Sequence, residues 1–234
     1  MTEPDDPRSG YASPPCLAAE VDPAWLDPLA VDTQQAIDVA RWRRAERARL
    51  LYARQALGVA ARQALGAALA GHLHRLVADR FRPVAGRVIS VYWPIKGEFD
   101  LRGLMAEWHR EGATLALPVV ERKAAPLVFR RWTPGMRMVR DNWNIPVPPE
   151  AAERLTPEIA LAPLVGWAMD VEGGSWRLGY GRGYFDRTLA ALAPRPFAIG
   201  VGIAAARLAT IFPQPHDIPL AAIVTEAGLA EARP

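Results

Sequence analysis

Residues 158–192 read EIALAPLVGWAMDVEGGSWRLGYGRGYFDRTLAAL. The opening run, Glu158 to Val165, has the length and apolar character of a buried strand. It leads into a glycine loop, Arg177-Leu178-Gly179-Tyr180-Gly181-Arg182-Gly183-Tyr184-Phe185-Asp186, and the chain then turns into a helix over Tyr184 to Leu192. Glycine at 179, 181 and 183 lets backbone approach a ligand closely, because no Cβ intervenes. Successive bared N–H groups in such a loop form an anion-binding nest. Arg177 and Arg182 add fork-shaped donors suited to phosphate or carboxylate. Asp186 places a hard oxygen at the helix start, which suits Mg²⁺ carried by a nucleotide. The loop is built for polyphosphate, with rings left over to hold something flat. It matches neither GxxxxGK[ST] nor the dinucleotide pattern G-x-G-x-x-G, and a generic glycine turn is the plainer alternative.

Outward from this segment, strands and helices alternate. Strands are expected at 87–93 (RVISVYW), 114–120, 127–132, 197–203 and 221–225, and a helix at 101–110. Such alternation implies crossover connections and a largely parallel sheet covered on both faces, a three-layer α/β/α fold. Ligands of such sheets bind beyond the carboxyl ends of the strands, where the Trp93-Pro94 turn and the glycine loop both fall. From about Thr33 to Arg82 the pattern is helical: Leu65, Leu69, Leu73, Leu76 and Val77 make one apolar stripe, with Gly58 and Gly71 as expected breaks or weak points. A proline-rich loop is expected over 133–149. Residues 1–32, with prolines at 4, 7, 14, 15, 23 and 28, read as a flexible leader that can order by docking near Trp25 to Leu29. Residues 33–234 read as a single domain.

Composition narrows the function classes. The chain has 234 residues, half of them hydrophobic, enough to bury one core. Its net charge of +3 favours acidic ligands only weakly, and the dense basic face of a nucleic-acid binder is missing. Cys16 is the single cysteine, so no internal disulfide or thiolate metal site is expected, which fits a reducing cytoplasm. No apolar run reaches the roughly 20 residues that cross a bilayer. The histidines at 72, 74, 109 and 216 are scattered and predict no metal site.

Four other segments bear on chemistry. In Arg41-Trp42-Arg43-Arg44-Ala45-Glu46-Arg47, at about 100° per helical residue, Arg43, Arg47 and Arg54 share a side with Leu50 and Leu57. They either belong to a solvated face or border a packed seam from which a guanidinium reaches a phosphate. In Tyr92-Trp93-Pro94-Ile95-Lys96-Gly97-Glu98-Phe99-Asp100, Asp100 is explained as a helix cap. Glu98 beside aromatics can accept hydrogen bonds from an amino-substituted heterocycle. Asn142-Trp143-Asn144-Ile145-Pro146-Val147-Pro148-Pro149 is either a rigid extended linker or a platform presenting Trp143. In Gln214-Pro215-His216-Asp217-Ile218-Pro219, Asp217 is a second acid for a metal, and His216 reads as a surface residue.

Together and in this order, these segments resemble the 5-formyltetrahydrofolate cyclo-ligase (methenyltetrahydrofolate synthetase) family from about Arg41 to Glu226, chiefly through RLGYGRGYFDR at 177–187 and NWNIPVPP at 142–149. The resemblance implies an α/β fold and an ATP- and Mg²⁺-dependent cyclisation of 5-formyltetrahydrofolate to 5,10-methenyltetrahydrofolate, releasing ADP and phosphate. Under it Arg43 and Arg47 contact the ATP phosphates. The loop of Arg177, Leu178, Gly179, Tyr180, Gly181, Arg182, Gly183, Tyr184 and Phe185 wraps the triphosphate. Glu98 and Trp143 hold the folate, with Tyr180 through Tyr184 also touching it. Arg182 and Tyr184 take the catalytic parts, and Asp186 and Asp217 serve the Mg²⁺. Ala221 stands where the family often has an acid. A cytoplasmic monomer that binds neither nucleic acid nor membrane is expected. The alternatives are a non-catalytic nucleotide- or folate-binding regulator on the same fold, and another enzyme class, such as a sugar-phosphate isomerase or CoA transferase.

Overall fold

The structure, a computed structural model, describes residues 33–230. The proline-rich leader and its expected docking segment, with Cys16, lie outside the described residues. The chain divides into two units, residues 1–41 and 42–234. In the first, the described residues are the opening turns of helix α1 (Thr33–Gln55), where Asp38 accepts hydrogen bonds from Gln34 (3.1 Å) and Arg41 (3.2 Å).

The second unit holds the rest of α1, then α2 (Val59–Arg80), β1 (Val88–Ser90), α3 (Arg102–Arg110), β2 (Thr114–Val119), β3 (Val128–Trp132), β4 (Val139–Arg140), β5 (Pro146–Val147), β6 (Arg154–Leu155), β7 (Ile159–Pro163), β8 (Gly166–Met169), β9 (Ser175–Leu178), α4 (Tyr184–Ala191), β10 (Phe197–Val201), β11 (Ala222–Thr225) and β12 (Gly228–Leu229). Gly58 precedes α2 as its extended N-cap, as a helix break should. Gly71 is a weak point rather than a break: it lies within α2 on an exposed turn, where a single glycine costs only about 1 kcal/mol.

Eight strands form one sheet in the order β12-β11-β10-β7-β1-β2-β3-β6. The five strands from β11 to β2 are mutually parallel, while β12, β3 and β6 add antiparallel edges. The chain runs outward one way from β1 through α3 to β2, and the other way from β7 through β10 to β11. The strand order therefore reverses between β1 and β7, and a crevice opens beyond their carboxyl ends.

Central β7 is buried along its whole length. Its Ile159 and Leu161 join Leu69, Leu73 and Val77 of α2 and Met105 and Trp108 of α3. Its Ala162 faces the other way, into a second cluster with Leu50 of α1 and Leu189 of α4. Side chains alternate faces along a strand, so both sheet faces are covered and the three layers follow.

Two hairpins stand where loops were expected. Residues 133–149 contain the antiparallel β4–β5 pair. Asp141 builds its turn, accepting from the N–H groups of Trp143 (2.9 Å) and Ile145 (2.8 Å), while Asn144 takes φ +61. Short polar side chains tolerate that left-handed conformation and hydrogen-bond locally, a signal the prolines obscured. The second pair, β8–β9, interrupts the direct path from β7 to the glycine loop. Its turn closes on Asp170, which accepts from Gly174 N–H (2.6 Å) and Trp176 Nε1–H (2.7 Å). Among the described residues no helix is long and apolar enough to cross a membrane.

Candidate functional site

A cavity of about 570 Å³ lies in the crevice beyond β1, β2 and β7. All of the site residues expected from sequence line it: Arg43, Arg47, Glu98, Trp143, the loop from Arg177 to Phe185, Asp186 and Asp217. They come from five separated segments, gathered because each follows a strand end or sits on α1 facing it.

The floor of one end is the glycine loop. Gly181 has φ +90 and Gly183 φ +61, the left-handed region that favours glycine. A Cβ on Gly181 would lie 3.2 Å from Cζ of Arg47, so the loop and that guanidinium are stacked as closely as glycine allows. Gly183 is the N-cap of α4 and offers no side-chain cap, so the first helical N–H groups stay open for an anion.

Three guanidinium groups converge here, each differently engaged. Arg43 is buried; its Nε donates to Ile211 O (2.8 Å) and its Nη2 to Phe212 O (2.8 Å), and both Nη atoms pair with Asp217. An arginine has five N–H bonds, so at most one remains for a ligand. Arg177 is buried over the Phe185 ring and pairs with Asp186 at 2.8 Å. Arg47 donates Nε–H to Gly179 O (2.7 Å), and its Nη atoms have no acceptor among the described residues. Burial, then the neighbouring Arg43, lowers the Arg47 pKa, and burial does the same to Arg177 against the pull of Asp186. The cluster thus holds more positive charge than its protein partners neutralise.

The two acids are not free carboxylates waiting for a metal. Asp217 has a side-chain exposure of 9 %. Burial opposes its ionisation, but hydrogen bonds from Arg43 and Gln214 N–H prevail and hold it below the usual carboxylate range. Asp186 faces Arg177 through one oxygen and the Ile218 N–H, at 3.5 Å, through the other. Each keeps lone pairs beyond these bonds, and hard carboxylate oxygens on the cavity wall fit Mg²⁺.

The other end is acidic and aromatic. Glu98 is buried; its Oε1 accepts from the Tyr180 hydroxyl at 2.6 Å and its Oε2 from Ile95 N–H at 2.9 Å. Burial pushes its pKa up against those bonds and the nearby Arg54 and Lys96. Trp143, at the tip of the β4–β5 hairpin, meets the Tyr184 ring edge-on at 5.9 Å, and the Arg182 guanidinium lies 5.3 Å from its ring centre. A flat ligand entering between these groups would meet rings on one side and an acceptor at depth.

Sequence reasoning left some wall residues without a role. His216 is exposed, as read, and also lines the cavity, as do Tyr92, Lys96 and Asp141. The exposed Arg44 and Ala221 do not line it. Asp100 takes the Arg102 N–H (3.0 Å) just ahead of α3. Away from the cavity, His74 is less isolated than expected: its nitrogens lie 3.3 Å from Glu107 and 3.3 Å from Glu111.

Comparison with known proteins bears on the family and the fold. The model of the 5-formyltetrahydrofolate cyclo-ligase family matches residues 39–226. The 5-formyltetrahydrofolate cyclo-ligase of Mycolicibacterium smegmatis is 29% identical over 184 residues, covering 76% of this chain and 91% of the relative. That of Escherichia coli is 31% identical over 111 residues, 45% of this chain and 59% of the relative. Among solved structures, the 5,10-methenyltetrahydrofolate synthetase of Aquifex aeolicus aligns with TM-score 0.64 at 27% identity, covering 82% and 93% of the two chains. The Mycoplasma pneumoniae synthetase aligns with TM-score 0.62 at 22% identity, covering 79% and 98%, and speaks for the fold.

Proposed function

This chain belongs to the 5-formyltetrahydrofolate cyclo-ligase family, whose named members are enzymes, and from that premise we propose that it converts 5-formyltetrahydrofolate to 5,10-methenyltetrahydrofolate with ATP, releasing ADP and phosphate. The observation that carries the reading is Arg47: a half-buried guanidinium, stacked on Gly181 beside two more arginines, with both Nη atoms unpartnered among the described residues. Such a group fits a polyanion.

The chemistry requires activation of an amide-like oxygen, which leaves poorly by itself. The formyl oxygen attacks the γ-phosphorus of ATP and the bond to the ADP oxygen breaks, leaving an imidate phosphate on the folate. N10 then attacks the activated carbon, the C–O bond breaks, and phosphate departs with the oxygen. The N10 proton is lost to solvent. This chemistry needs no covalent bond to the protein, so the protein's task is positioning and charge stabilisation. Arg47 and the open N–H groups of the loop and α4 hold the triphosphate. Arg182, exposed and without a protein acceptor among the described residues, can follow charge onto the transferred phosphoryl group. Tyr184 and Trp143 hold the folate rings, and Glu98 accepts from the pterin N–H groups. Mg²⁺, held by Asp186 and Asp217, would supply neutralisation of phosphate charge. Arg43 keeps Asp217 ionised, and Arg177 aims Asp186 through their 2.8 Å pair.

An absorbance assay tests the proposal: purified protein, MgATP and 5-formyltetrahydrofolate should generate the near-ultraviolet methenyl chromophore in proportion to ADP. Folate and nucleotide binding without chromophore would overturn the enzymatic reading in favour of a regulator.

A further inference from the structure

Arg54 lies outside the cavity wall yet touches three of the segments that build it. From the last turns of α1 its Nη1 donates to Leu164 O at 3.2 Å, just after β7. Its Nη2 donates to Lys96 O at 3.2 Å, in the turn between β1 and α3, and to the Tyr180 hydroxyl at 2.6 Å, in the glycine loop. The side chain is buried, and these are its hydrogen bonds among the described residues. Lys96 and Gly97, beside the second of them, both have positive φ, at +49 and +77. A non-glycine residue stays in that conformation only where its surroundings hold it there.

The direction of the hydrogen bonds follows from chemistry. A guanidinium only donates. The Tyr180 oxygen therefore accepts from Arg54, and its own proton is committed to Glu98 Oε1 at 2.6 Å. Glu98 Oε2 already accepts from Ile95 N–H. The relay runs one way, Arg54 to Tyr180 to Glu98, and leaves neither Tyr180 nor Glu98 a proton to offer a ligand. Without Arg54 the hydroxyl could turn, accept from elsewhere, or donate into the cavity.

We propose that Arg54 is a positioning residue that sets the hydrogen-bond polarity of the Tyr180–Glu98 pair, so that these two groups meet a ligand as acceptors and favour a heterocycle that brings N–H donors. The ligand part rests on the proposed folate chemistry; the relay itself does not. Lysine, like arginine, cannot accept, whereas glutamine can, so the two substitutions separate polarity from packing.

The experiment has a ligand-free arm and a kinetic arm. In the ligand-free protein, proton NMR should show a downfield, slowly exchanging hydroxyl resonance that is absent from Tyr180→Phe. It should shift or vanish in Arg54→Gln and persist in Arg54→Lys. In turnover, Arg54→Gln should raise KM for 5-formyltetrahydrofolate at least about tenfold, as expected when a charge-assisted contact is lost, and KM for MgATP by less than about threefold. Arg54→Lys should stay within about threefold of wild type on both, because it preserves donation into the relay. If Arg54→Gln does not fold, Tyr180→Phe carries the same test, since it cuts the relay and leaves the two carbonyl bonds in place. A resonance indifferent to Arg54→Gln, an unchanged folate KM in Tyr180→Phe, or equal rises in both KM values would overturn the proposal. Wild-type protein that neither binds nor turns over folate would instead count against the enzymatic reading, while the resonance still decides the relay.

Discussion

Arg43 and Asp217 form a pair whose disruption tests the electrostatic design of the site. Both side chains are 9 % exposed, and Arg43 also satisfies the carbonyls of Ile211 and Phe212. Arg43→Met keeps the aliphatic bulk and removes every donor. Asp217 is left as a buried charge with the Gln214 N–H as its remaining bond. Removing one partner of such a pair costs about 3–5 kcal/mol, a large share of a stability of roughly 5–15 kcal/mol. The pH dependence fixes the cause. In the wild type Asp217 is held below its unfolded value, so its stabilisation is fully present above the unfolded value of about 3.9 and is lost only as pH falls through the lower folded value. In the variant, desolvation without Arg43 should raise the folded value above the unfolded one. The penalty is then full above the raised folded value and shrinks as pH falls through it toward the unfolded value of about 3.9, at about 1.4 kcal/mol per unit. Urea unfolding near neutral pH and at about pH 4, close to the unfolded value, should show the variant's deficit narrowing, and Asp217→Asn in the same chain should recover more than half of it. A deficit below about 1 kcal/mol, the worth of a surface pair, or one independent of pH, would refute the reasoning.

Arg47→Met should leave unfolding within about 1 kcal/mol of wild type, because it loses a single carbonyl bond, yet raise KM for MgATP at least about tenfold by removing a charge-assisted phosphate contact; an unchanged KM would discredit its role. Gly181→Ala should cost about 1–3 kcal/mol for a side chain at φ +90 and displace Arg47; full activity with normal stability would mean that the loop is not held in this conformation. Trp143→Ala, at a residue 39% exposed, should weaken folate binding by titration calorimetry with little change in melting temperature; unaltered binding would remove Trp143 from the site.

The layered sheet was legible because its signals are local. The strands expected at 114–120, 127–132 and 158–165 contain β2, β3 and β7, and Leu69, Leu73 and Val77 of the expected stripe lie on the buried face of α2. The two hairpins were obscured. In 133–149 the prolines masked an Asx turn, and the β8–β9 turn depends on Asp170 capping groups as far off as Trp176. Arg54 was visible on the same side of α1 as Arg43 and Arg47, but its spacing could not reveal that it reaches Tyr180, 126 residues away.

From the sequence alone came the glycine loop, the hard acid at a helix start and the apolar periods, since these are properties of neighbouring residues. Which charge answers which was decided only by tertiary structure. Asp217, read as a metal ligand, meets Arg43 across 174 positions, and Asp186 meets Arg177. Those pairings arise because the strand order reverses between β1 and β7, which brings the strand-end loops and α1 around one cavity. A local pattern cannot encode that convergence, because it depends on how the whole sheet is wound.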